Sequence, residues 1–266
     1  MTDWQTAFCK TNEIHQHYTR TGGNKPPLIL LHGLTGNGIC WTPVTKALTL
    51  EYDVIMPDAR GHGKSSVPNT GYRYEDFAKD VEELIASLGL SFPIIIGHSM
   101  GGMTAALVAS RKKALLGGLI LADPPFLSLA VQHEVYNGDT IKQQQRFLKK
   151  PFNEVLEEAQ IRQPHRSLDT LKRINKARHQ TSIIPFQVLK PPYPDYQRLV
   201  RDIDCSSLLI IADKGIVSTA VAEELQDINP KLQIEIITEV GHGLHYDKPE
   251  KFTAVVQSFL RTNSSG

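Results

Sequence analysis

The strongest chemical signal in the chain is Ile96-Gly97-His98-Ser99-Met100-Gly101-Gly102, a serine with glycines two residues to either side. The apolar run Pro93–Ile96 precedes it and a small, apolar helical stretch follows, so the serine sits on a strand–turn–helix corner. Such a corner is tight enough to force the serine into strained backbone angles, and a Cβ two residues before or after would collide with its surroundings. It lifts the Ser99 hydroxyl clear of the sheet, at a helix N-terminus where free N–H groups and the helix dipole favour a developing negative charge. The chemistry this suits is nucleophilic attack by the serine on a carbonyl carbon.

Two further segments supply what that attack needs. Leu31-His32-Gly33-Leu34-Thr35-Gly36 ends an earlier apolar run, and its loop can bring the N–H of Leu34 to the point served by the N–H of Met100. Together they would hold the oxyanion of a tetrahedral intermediate, each donor contributing on the order of 3 kcal/mol to the transition state. Downstream, Val240-Gly241-His242-Gly243 follows the last β-prone run, with glycines that let a loop carry the imidazole to the serine. Of the ten histidines, His242 is the expected general base. His32, His62 and His98 lie in motif loops, where structural roles are expected.

With these motifs in place the sequence resembles the α/β-hydrolase superfamily, in its serine-nucleophile branch. The resemblance rests on His32-Gly33, Asp58-Ala59-Arg60-Gly61-His62-Gly63-Lys64-Ser65, Gly97–Gly102 and Gly241-His242. It implies that Asp58–Ser65 is an architectural turn, so Asp58, Arg60 and His62 stay outside the active site. It also implies an acid a few residues after the next-to-last strand, in a pattern such as Gly-Asp/Glu-x-Asp-Pro. Here the stretch reads Ile211-Ala212-Asp213-Lys214-Gly215-Ile216, with Gly215 where the aspartate would stand. Asp213, the carboxylate left in that loop, is the expected acid. Its rival is Asp123 in Ala122-Asp123-Pro124-Pro125, at the tip of the preceding strand, where some members carry theirs. The bland reading of Asp123 is a hinge residue that bonds the start of the following segment.

What the resemblance implies for function is a serine hydrolase of a small carboxylic ester or lactone. Ser99 would be the nucleophile, His242 the base and Asp213 the orienting acid, with the N–H groups of Leu34 and Met100 as oxyanion hole. No metal and no cofactor are called for. A carbon–carbon or amide hydrolase, aminopeptidase-like ones included, is the alternative. A small-molecule receptor that keeps the triad, and a degenerate binder suggested by Gly215, come from a different functional class. Serine at the elbow argues against dehalogenases and epoxide hydrolases of this kind, which use aspartate there. Fold alone does not choose among serine members.

The elements that must position these residues are readable as a rhythm. Apolar runs at Leu28–Leu31, Val54–Met56, Pro93–Ile96, Leu119–Leu121, Leu208–Ile211 and Ile234–Ile237 suit strands buried on both faces. Tyr74–Leu88 carries Phe77, Val81, Leu84, Ile85 and Leu88 at helical spacing, and further helices are expected over Met100–Ala109 and Pro249–Leu260. The fold class is therefore α/β: a mainly parallel central sheet with helices on both faces. A β-prone run at Ile14–Thr19 opens the chain as part of a hairpin. Residues 126–204 break the rhythm. They contain helical stretches at Thr140–Lys150, Asn153–Arg162 and Leu168–His179, then Pro191-Pro192-Tyr193-Pro194, and read as a helical cap inserted into a core of 1–125 and 205–266. Thirteen Lys and Arg against nine Asp and Glu leave this insertion mildly basic, as a solvated helical surface or, less simply, an anion-steering lid.

Composition bounds the partners. In 266 residues, 41% hydrophobic and 21% charged with a net charge of +1, there is no electrostatic footprint for nucleic acid or an anionic membrane. There is also no stretch of about 18 apolar residues to cross a bilayer. Residues 1–5 lack the pattern of a secretion signal. Cys9, Cys40 and Cys205 are odd in number and far apart, which fits a reducing, cytoplasmic setting better than a disulfide framework. The expected partner is a small acyl substrate; oligomeric state is not readable.

Overall fold

The apolar runs become one eight-stranded sheet in the computed structural model, which describes residues 4–111 and 115–263. The strands are β1 (Gln5–Thr11), β2 (Ile14–Arg20), β3 (Pro27–Leu31), β4 (Asp53–Pro57), β5 (Ile94–His98), β6 (Gly118–Ala122), β7 (Ser207–Lys214) and β8 (Leu232–Gly241). They lie in the order β1-β2-β4-β3-β5-β6-β7-β8. From β4 to β8 every pairing is parallel, while β1–β2 and β2–β4 are antiparallel. Residues 1–3, part of the opening read above for a secretion signal, lie outside the described residues.

The pleat divides each central strand between two cores. Ile29, Leu31, Ile55, Ile95, Leu119, Leu121, Leu209 and Ile211 face one side. Leu28, Leu30, Val54, Met56, Ile96, Ile120, Leu208 and Ile210 face the other. The first face is covered by α2 (Tyr74–Ser87), through Phe77, Val81, Leu84 and Ile85, and by α3 (Met100–Arg111). The second is covered by α1 (Thr42–Leu48) and α11 (Pro249–Asn263), through Val44, Leu48, Phe252, Val256 and Phe259. Two buried faces explain why these strands read as unbroken apolar runs. β8 is the exception: at the sheet edge it buries Leu232, Ile237 and Val240 but leaves Ile236 40% exposed, so its run is not buried on both faces.

Between β6 and β7 the chain forms α4 (Leu129–Asn137), α5 (Thr140–Leu148), α6 (Phe152–Arg162), α7 (Leu168–His179) and α8 (Tyr196–Asp202). Ser128 and Ser167 cap α4 and α7 by accepting from Val131 N–H and Thr170 N–H, which fixes where these helices start. α8 does not stay with the others. Its Leu199 and Val200 join the core cluster under the sheet, so the core layer resumes before residue 204. α9 (Thr219–Ile228) and α10 (Leu244–Asp247) follow β7 and β8. Among the described residues no helix is long and apolar enough to cross a membrane.

Candidate active site

Ser99 lies between β5 and α3 with φ of +52°, inside the left-handed region that non-glycine residues avoid. The flanking glycines explain how the turn closes. A Cβ on Gly97 would stand 2.2 Å from the Gly101 carbonyl oxygen, and one on Gly101 would stand 2.4 Å from that of Leu31. The turn is also tied into the sheet. Ser99 N–H donates to the Ala122 carbonyl at 3.0 Å, and Asp123 N–H donates to that of Ile210 at 2.8 Å. The ladder of β5, β6 and β7 thus continues into the loops and fixes residues 99 and 123 against one another.

His242 follows β8 and reaches both. Its Nε2 lies 2.9 Å from Ser99 Oγ and its Nδ1 lies 2.7 Å from Asp123 Oδ2. Asp123 is wholly buried and also accepts from the N–H groups of Ile216, at 3.0 Å, and Val217, at 3.1 Å. With two backbone donors on the carboxylate, the remaining contact is filled by Nδ1–H, which leaves Nε2 bare toward the serine.

Asp213, the carboxylate expected from sequence, is not brought to His242. At the end of β7 its exposed side chain accepts from Glu239 N–H at 2.8 Å and Val240 N–H at 3.1 Å, and these bonds hold its pKa below the usual carboxylate value. It closes the irregularity in the β7–β8 pairing at Ala212/Lys214. Gly215 gives the physical reason for the correction. A Cβ there would stand 2.6 Å from Asp123 Oδ2, so the site has room for a carboxylate from β6 or a side chain at 215, not both.

The two backbone donors expected to hold an oxyanion border the serine. Gly33 is close enough that a Cβ on it would lie 3.2 Å from Ser99 Cβ, and Leu34 lines the same cavity. Among the described residues neither Leu34 N–H nor Met100 N–H donates to another protein group. The loop histidines hold scaffolding. His32 Nδ1–H donates to the Gly33 carbonyl at 2.8 Å while its Nε2 accepts from Ala59 N–H at 3.0 Å. His62 donates to the carbonyl of Leu34, which orients that peptide. His98 Nε2–H donates to the His242 carbonyl at 2.8 Å. Asp58 accepts from Gly38 N–H, Lys64 N–H and His17 Nδ1–H, and so knots the 58–65 turn to β2 and the 32–38 loop.

The cavity over Ser99 and His242 has a volume of about 310 Å³. Arg166 and Ile174 from the insertion line it, with Tyr246 from α10. Sequence reasoning named none of these three, and the only hint was the mild basicity of the insertion. A family model for the α/β-hydrolase fold matches residues 26–249. The chain belongs to that family.

Relatives within the family differ in what they are named for. The sn-1-specific diacylglycerol lipase ABHD11 of Mus musculus is 27% identical, over 88% of this chain and 81% of that protein. The N-formylmaleamate deformylase of Pseudomonas putida is 27% identical, over 94% of each. Among solved structures, that of E-2-(acetamidomethylene)succinate hydrolase superposes with a TM-score of 0.84 at 20% identity, over 97% of this chain and 99% of that one. This last likeness speaks to the fold alone.

Proposed function

We propose that this chain is a serine hydrolase that cleaves a small carboxylic ester or lactone through an acyl-enzyme on Ser99. The observation that carries the reading is the unbroken series of contacts from Ser99 Oγ through the His242 ring to the buried Asp123 carboxylate. His242 Nε2 takes the hydroxyl proton as Oγ attacks the carbonyl carbon. Asp123 holds the ring in the tautomer that makes Nε2 an acceptor and stabilises the imidazolium that forms. The N–H groups of Leu34 and Met100 receive the oxyanion. His242 then protonates the leaving oxygen, and a water activated by the same nitrogen releases the acid.

Amide cleavage is the second reading, favoured by the likeness along nearly the whole chain to a protein named as a deformylase. The same groups serve it, with His242 protonating a leaving nitrogen. Hydrolysis of p-nitrophenyl acetate and butyrate by wild type and Ser99→Ala tests the proposal. The expected result is turnover that vanishes in Ser99→Ala. Equal rates in the two proteins would sink it. Parallel assays on N-formyl and N-acetyl amides separate the two readings.

A further inference from the structure

The residues lining the cavity over Ser99 carry one permanent charge, the guanidinium of Arg166, and no carboxylate. Arg166 comes from the turn between α6 and α7, and its side chain is only 10% exposed. Nε donates to Asp247 Oδ1 at 2.6 Å and Nη1 to Gln163 Oε1 at 2.9 Å. The remaining nitrogen, Nη2, donates to no protein group among the described residues. It sits 2.6 Å from the position a Cβ on Gly243, the residue after His242, would occupy. The guanidinium also lies over the Tyr246 ring, 5.5 Å from its centroid. Asp247, which offsets part of the charge, is not among the cavity's lining residues.

A latch tying the insertion to α10 needs Nε and Nη1. It gives no reason for a third donor, without a protein partner among the described residues, to face the same space as Ser99. The N–H groups on Nη2 are free to donate into the cavity, and an anionic oxygen is the strongest acceptor a planar cation can take. We propose that the substrate carries a carboxylate, which Arg166 Nη2 holds while the scissile carbonyl rests at Ser99. The inference rests on Ser99 being the nucleophile only for its placement of the scissile bond; the anion site itself stands on Arg166.

The experiment has two arms. In the first, hydrolysis of methyl hydrogen succinate and of methyl butyrate is followed by pH-stat in wild type and Arg166→Gln. Removing a charged hydrogen-bond donor lowers the ratio of kcat/KM for the acidic over the neutral ester by roughly 10- to 100-fold. In the second, calorimetry measures succinate binding to Ser99→Ala and to Ser99→Ala/Arg166→Gln, where a loss of similar size is expected. An ester ratio unchanged by Arg166→Gln, or succinate bound equally by both proteins or by neither, overturns the proposal. If wild type cleaves neither ester, the calorimetric arm decides alone. The nucleophile is then judged separately, by whether a fluorophosphonate labels Ser99.

Discussion

Replacing Asp123 by Asn keeps the shape of the side chain and changes what it can accept. The wild-type carboxylate takes three donors, the N–H groups of Ile216 and Val217 and Nδ1–H of His242. An amide has one acceptor oxygen. If that oxygen stays with the two backbone donors, which cannot move without distorting the start of α9, its NH₂ faces His242 Nδ1. That nitrogen must then become the acceptor, and the ring proton moves to Nε2. Nε2–H would donate to Ser99 Oγ, 2.9 Å away, and could no longer take its proton. The base is thus disabled by tautomer, without displacement, and the cost in kcat is about 10⁴-fold. Asp213→Asn is the internal control. Its oxygen still accepts from Glu239 or Val240 N–H in an exposed position, so kcat stays within about threefold of wild type, as for surface changes generally. Steady-state hydrolysis of p-nitrophenyl butyrate at one pH compares the two. A drop of several orders of magnitude in Asp213→Asn, with Asp123→Asn near wild type, would refute the assignment.

Other substitutions probe the frame around the site. Gly215→Ala drives a methyl group into Asp123 Oδ2; kcat is expected to fall by on the order of 100-fold, while the circular dichroism spectrum keeps its native form. Gly101→Ala sets a Cβ against the Leu31 and His32 backbone, and the elbow has no slack there, so the expected result is insoluble or unfolded protein, scored by expression and melting temperature. Asp80 and Arg60 form a two-toothed ion pair with side chains 2% and 4% exposed. Asp80→Ala strands a buried guanidinium and lowers the free energy of unfolding by about 3–5 kcal/mol in urea. Stability should also follow pH through buried, neutral histidines, His32, His98 and His245 among them. Burial first, then neighbouring positive groups in the cases of His98 and His245, pushes His32, His98 and His245 below the ordinary value of 6.5. Because the folded rings resist protonation and the unfolded ones do not, their contribution is complete above about pH 6.5 and is lost as pH falls below it, each by up to about 1.4 kcal/mol per pH unit. Urea midpoints that stay level from pH 7.5 to 5 would contradict this.

The parts of the molecule legible from sequence are those whose signal is local. Leu28–Leu31 and Leu208–Ile211 read as buried strands because both of their faces meet a helical layer. Ser99 and His242 stood out because their glycines report backbone geometry within a few residues. β1 escaped notice because Phe8, 56% exposed on an edge strand, gives neither alternation nor an apolar run. The carboxylate that meets His242 was not the one expected, for a different reason. Asp213 and Asp123 both follow a strand, and which one meets His242 is decided by the contact between Gly215 and residue 123, across two strands and ninety-odd residues of chain. The glycine noted as a missing aspartate was the clue; its meaning required the third dimension. Arg166 was equally hidden, since it sits in a turn with no pattern around it, and its place in the cavity beside Ser99 depends on how the insertion folds back.

The close approach of Gly215 to Asp123 also constrains how this protein could change over generations. Moving the acid to the next strand takes two substitutions, and each order passes through a poor intermediate. Losing Asp123 first leaves an imidazole with no orienting carboxylate. Gaining an aspartate at 215 first forces two like charges into a space that holds one side chain. The identity of residue 215 and the presence of a carboxylate at 123 are therefore coupled: neither position can change alone without disturbing what faces His242.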